Sequence, residues 1–218
     1  LNLIQVILAE GKVTGIEPWK SILVDRYLKR YVSVTRPSRI LNTKPETAAF
    51  STRVISLATV LTALGVVLAP FLWFPVLDTK AYPGQHLVNA VAGVLLGPYW
   101  AALIAFFIGL IRMSLGIGTI FSMPGGIPGG IVVGLVYWVL KRSGIKRPEL
   151  AALTESLGTV FIGGTIAVYI FAPLSGRVML LVPVWIGWAI SSIPGSVIGL
   201  IILEALKATG FTRERFRR

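Results

Sequence analysis

The chain has 218 residues, of which 55% are hydrophobic and only 14% charged. Soluble domains carry about 25% charged residues, so the composition points to an integral membrane protein of one helical bundle. The absence of Cys excludes a disulfide framework and thiol chemistry, and the formal net charge of +12 sits at the ends of apolar segments, where the positive-inside rule accounts for it without nucleic acid.

Residues 1–50 are mixed and mostly polar, with basic residues from Lys12 to Lys44. Leu3 to Leu8 is too short an apolar patch to span a bilayer. Residues 20–32 pattern as an amphipathic surface helix, with Ile22, Leu23, Tyr27, Leu28 and Tyr31 apolar and Lys29 and Arg30 charged. No Met precedes Met113, so the segment is read either as following an alternative start or as a basic extension ahead of the true start.

The first predicted helix runs from about Arg53 to Pro70, and Asp78 and Lys80 mark a polar loop after it. A short second helix covers about Gln85 to Leu96. Gly97-Pro98 ends it and opens the third, which runs to about Arg112. The fourth is expected from about Gly126 to Leu140, after the Gly- and Pro-rich turn Gly116 to Gly126. The fifth covers about Leu150 to Ala172 and the sixth about Leu180 to Leu206, interrupted by Pro194. The second, third and fourth look short for a span of about 20 residues, which suggests a compact central group. Domain limits are then an extension at 1–50, a transmembrane domain at 51–208 and a basic tail at 209–218.

The N-terminal segment, the loop Lys141 to Arg147 and the tail are basic, and the other loops carry few charges. Six crossings with both termini in the cytoplasm put every basic segment inside. The expected fold class is therefore an all-α, six-helix transmembrane bundle.

That topology gathers Gln85, His86, Asn89, Arg112, Tyr169, Trp185 and Trp188 in the outer leaflet, with Phe121 and Pro124 in the adjoining loop. His86 and Asn89 are three apart and share a helix face. Aromatic surfaces with a few hydrogen-bonding groups suit a small ligand. Other readings stand beside this one. The Trp residues also fit as interfacial anchors, Arg112 as a snorkelling cation, and His86 and Asn89 as hydrogen-bonded helix contacts. Pro194 frees a backbone carbonyl that Ser191, Ser192 or a ligand can satisfy, which adds Ser192 to the ligand-binding set. Glu155 is expected to pair with Lys141, Arg142 or Lys146 in the preceding loop. Small residues recur every four positions on the fourth, second and sixth helices, a pattern for close helix packing. The first helix offers Ala58/Thr62 and Thr59/Ala63 in the same spacing.

There is no G-x-x-x-x-G-K-[ST] phosphate loop and no H-E-x-x-H motif. A single His and no Cys make a metal site or catalytic triad improbable, so neither an enzyme nor a cofactor is expected.

The segments Pro83 to Pro98, Arg112, Gly116 to Gly126, Glu155 with Gly158-Thr159, and Ser191 to Gly195 resemble the ThiW family of thiazole-specific S components of energy-coupling factor (ECF) vitamin transporters. The resemblance covers about residues 53–208 and does not extend to residues 1–50. It implies a multi-pass prokaryotic cell-membrane protein that binds a thiamine precursor, hydroxyethylthiazole, from outside. The implied partners are a membrane coupling subunit, contacted through Ala58/Thr62 or Thr59/Ala63, and two cytosolic ATPases. One Arg and several neutral groups in the outer half suit a neutral thiazole better than a phosphorylated ligand. The alternatives are an S component or proton-coupled carrier for another small heterocycle, an intramembrane enzyme on lipid substrates, and a structural assembly subunit.

Overall fold

A computed structural model describes residues 51–76 and 79–216, all within the compact unit Ala48–Arg218. The basic extension at 1–50 and its expected surface helix lie outside the described residues. Helix α1 (Thr52–Leu68) starts at Ser51, whose hydroxyl accepts the Val54 amide at 3.4 Å. It stops before Pro70. A short antiparallel pair, β1 (Phe74–Val76) and β2 (Thr79–Ala81), occupies the expected polar loop.

Helix α2 (Pro83–Leu95) begins on a proline, which has no amide to leave unsatisfied in a first turn. Every residue from Gly84 to Leu95 is buried, so this short helix is the axis of the bundle. Gly97 at φ 93° turns the chain into α3 (Pro98–Ser114), a backbone angle that favours glycine. Helix α4 (Ser122–Arg142) starts earlier than the Gly126 expected from sequence. Pro124 falls in its first turn, where its missing amide costs no helical bond. With 21 residues it is not one of the short elements.

Helix α5 (Pro148–Leu174) is irregular. It opens as a 3-10 segment, Pro148–Thr154, and contains two wide π turns, Gly158–Gly163 and Ala167–Phe171. Helix α6 (Leu181–Ala208) carries Pro194, and α7 (Arg213–Phe216) ends the described chain. Helix α6 lies against the start of α2 because Gly195 has no side chain. A Cβ there would run into the Pro83 carbonyl and the His86 Cβ.

Polar and apolar residues are distributed inside out. Val60, Phe107, Leu135, Trp138, Ile162 and Ile201 are exposed, while Gln85, His86, Asn89, Arg112, Glu155 and Thr159 are buried. Water would not tolerate so extensive an apolar surface, but a bilayer does. Helices α4, α5 and α6 are long and apolar enough to cross one; α1 and α3 are shorter apolar helices.

The charged residues collect at the end of the bundle where α4 and α6 finish. Lys141 pairs with Glu214 at 2.7 Å, Arg147 with Glu204 at 2.8 Å and Lys207 with Glu149 at 2.9 Å. Burial pushes the Glu214 carboxyl up, but the Lys141 hydrogen bond and charge outweigh it and hold the group below its usual range. Glu155 takes no part in these pairs. The expected pairing with Lys141, Arg142 or Lys146 is corrected here: Glu155 is fully buried and faces α2, because the 3-10 entrance carries α5 into the core before the carboxylate is reached.

Candidate ligand cavity

A cavity of about 530 Å³ opens at the other end, where α2, α4 and α6 begin and α3 finishes. That volume lies within the range of small-ligand sites. Gln85, His86, Arg112, Phe121 and Trp188, all expected from sequence, line it together. Tyr82, Ser122, Arg177 and Ser191 line it as well.

Local backbone logic places each group. Pro83 starts α2 immediately after Tyr82, so Gln85 and His86 fall in its first turn. The Tyr82 amide donates to the Ser191 hydroxyl at 2.8 Å, tying the α2 entrance to α6. The Tyr82 hydroxyl donates to the Ile117 carbonyl at 3.3 Å. Arg112, in the last turn of α3, is 2% exposed. Its guanidinium carbon stands 4.0 Å over the centre of the Tyr82 ring, and its Nη1 donates to Gln85 Oε1. Gln85 Nε2 donates to the Ser122 carbonyl at 3.4 Å. Arg112 Nε has no protein partner. Arg177 reaches the cavity from the loop before α6, its guanidinium 5.9 Å from the Phe121 ring centre.

A second polar layer lies behind His86. His86 Nδ1 is 2.9 Å from Glu155 Oε1, and Asn89 Nδ2 donates to the same oxygen at 3.0 Å. Asn89 Nδ2 also donates to the Gly126 carbonyl at 3.1 Å. The Thr159 hydroxyl lies 2.9 Å from Glu155 Oε1 and 3.0 Å from the Gly125 carbonyl, and shares its one proton between them. Gly129 makes room for this layer, since a Cβ there would overlap Glu155 and Thr159. The layer links α2, α4 and α5 through one carboxylate.

The remaining expected residues lie elsewhere. Asn89 is fully buried and outside the cavity lining. Pro124 is buried in the first turn of α4, off the lining. Ser192 is fully buried with its hydroxyl unpartnered; its neighbour Ser191 lines the cavity. Trp185 packs edge-on against Phe161 at 5.1 Å, and Tyr169 is 65% exposed on the apolar exterior. On α1, Ala58 is buried, while Thr59 and Ala63 are exposed. Arg177 and Glu155 are the functional-site charges that sequence reasoning did not assign to the site. Glu155 lay within a quoted motif segment, but nothing local tied it to His86, 69 residues away.

An apolar exterior, a buried polar interior and a ligand-sized cavity together define a membrane-embedded protein for a small ligand. The family model of thiamine-precursor transporter proteins (ThiW) matches residues 55–209, well over half of the chain. The protein belongs to the ThiW family, and its function is that of a thiamine-precursor transporter protein. No curated protein matches the chain.

Proposed function

We propose that the protein is the substrate-binding subunit of an ATP-driven ECF importer and captures the thiazole precursor hydroxyethylthiazole from outside the cell. The observation that carries this reading is the cavity, which sets Phe121, Trp188 and Tyr82 beside the hydrogen-bonding groups of Gln85, His86 and Ser191. A flat heteroaromatic ring with one acceptor nitrogen and one hydroxyl matches that mixture. The cavity faces outward and the basic end inward when the positive-inside rule is applied to six crossings. The chain has no phosphate loop of its own, so an ATP-driven importer built on it needs partner ATPases and a coupling subunit.

Purified protein in detergent is expected to bind hydroxyethylthiazole saturably by calorimetry, with one ligand per chain. Uptake by cells is expected to require the ATPases and coupling subunit. Absence of binding, or uptake by this chain alone, would remove the proposal. The buried Glu155–His86 pair favours a second reading, a proton-coupled carrier. Uptake that survives ATP depletion and stops when the proton gradient collapses would select it.

The coupling contact is assigned to Thr59 and Ala63, the pair on the exposed face of α1. Changing both to Leu is expected to leave ligand binding intact and to abolish uptake. Ala58 and Thr62 face inward by comparison, and Ala58→Leu is expected to cost stability instead. Unchanged co-purification of the Thr59→Leu/Ala63→Leu protein with the coupling subunit would refute the assignment.

A further inference from the structure

Of the cavity-lining groups among the described residues, Glu155 is hydrogen-bonded to His86 alone. It is fully buried, and Asn89 and Thr159 converge with His86 on its Oε1 atom while Oε2 has no partner. The Asn89 Nδ2 amide and the Thr159 hydroxyl both lie toward Oε1 as donors, which marks it as the acceptor of the cluster. A proton on Nδ1 makes His86 a further donor to that oxygen at 2.9 Å. Glu155 bonds the ring at Nδ1, and Arg112 and Arg177 line the same cavity as His86. Nδ1 is the ring nitrogen turned to Glu155, and Nε2 is the one left for a ligand. Nε2 makes no hydrogen bond among the described residues, and His86 lines the cavity.

We propose that Glu155 is a positioning residue that fixes His86 in the Nδ1–H tautomer, so that Nε2 accepts a hydrogen bond from an O–H group of the ligand. The cavity thereby selects a ring bearing a hydroxyl donor over the same ring with an ether in its place. This rests on the thiazole reading above. Gln85, Arg112 and Ser122 are organised among themselves. His86 supplies the acceptor, and its polarity depends on a carboxylate in the layer behind it.

His86 is the only histidine of the chain, so histidine-selective 15N labelling gives one imidazole and an unambiguous tautomer. In the purified wild-type protein near neutral pH, the proton is expected on Nδ1, with Nε2 unprotonated. The Nε2 resonance is expected to move on adding hydroxyethylthiazole and to stay with its O-methyl ether. The ether is expected to bind at least tenfold more weakly. Glu155→Leu is expected to release the tautomer and weaken alcohol binding at least tenfold. Glu155→Gln keeps an acceptor oxygen toward His86, and is expected to restore both the Nδ1–H tautomer and most of the affinity.

A wild-type spectrum with the proton on Nε2, or on both nitrogens, overturns the proposal even if Glu155→Leu fails to fold. Equal affinity for alcohol and ether overturns the ligand half of it. Failure of both compounds to bind, with the Nδ1–H tautomer present, overturns the thiazole reading and the ligand half together while leaving the role of Glu155 standing.

Discussion

Thiamine is expected to bind about a hundredfold more weakly than hydroxyethylthiazole, although it contains the same ring. Its thiazole nitrogen is alkylated and permanently cationic. Two guanidinium groups line the cavity, Arg112 and Arg177, and no carboxylate does so among the described residues. A unit charge about 6 Å from Arg112 is repelled by about 3 kcal/mol at an effective dielectric constant of about 20, which is about a hundredfold in affinity. Glu155 opposes this repulsion only in part, because it lies behind His86 and its Oε1 is already occupied by donors. Thiamine is also larger, so N-methylated hydroxyethylthiazole is the control that isolates charge. It should be discriminated against nearly as strongly as thiamine. Arg112→Gln should remove most of that hundredfold gap between neutral and cationic rings. Equal affinity for the neutral and N-methylated rings would show that charge plays no part in selection.

The second guanidinium alters the sequence-based picture of the site. One Arg was legible in the outer half, and it argued for a neutral ligand. Arg177 lies in a loop with few charges, and no periodicity tells where a loop side chain points. The cavity is consequently more positive than the sequence implied. That added charge disfavours a cationic ring relative to a neutral one.

Helix existence and order were legible because apolar runs and breakers such as Gly97-Pro98 leave clear marks. Grouping was legible too: Gln85, His86, Arg112, Phe121 and Trp188 meet around one cavity, although they come from four separated stretches. Rotation about a helix axis was not. Tyr169 comes about four regular turns after Glu155, which would bring the two near one face of an ideal helix. The two π turns of α5 each take up extra residues. They turn Tyr169 out to the apolar surface, while Glu155 remains inside. Trp185 and Trp188 differ in the same way. They are three apart on α6, yet one packs on Phe161 and the other lines the cavity. Composition cannot resolve such a choice, because both environments accept an indole.

His86 and Asn89 share a face of α2, and their spacing alone makes them a single unit. The structure separates their surroundings, so replacing each by Ala is expected to give different results. His86 lines the cavity, and on the proposal above it gives the ligand one hydrogen bond. Leaving a buried partner unpaired costs about 1–3 kcal/mol, so His86→Ala should weaken hydroxyethylthiazole binding about ten- to a hundredfold. Asn89 is fully buried behind it, and its Nδ2 serves Glu155 and the Gly126 carbonyl. Asn89→Ala strips a donor from both acceptors and loosens the joint between α2, α4 and α5. The same 1–3 kcal/mol then appears as lost stability, a fall of about 2–12 °C in melting temperature for a chain of this size. Its effect on affinity reaches the ligand only through Glu155 and His86, and should stay within about tenfold. Melting temperature and affinity measured on the same preparations distinguish the roles. If His86→Ala binds as tightly as the wild type, His86 belongs to the packing and not to the site. If Asn89→Ala loses binding with no loss of stability, Asn89 is a direct ligand contact and the two-layer description fails.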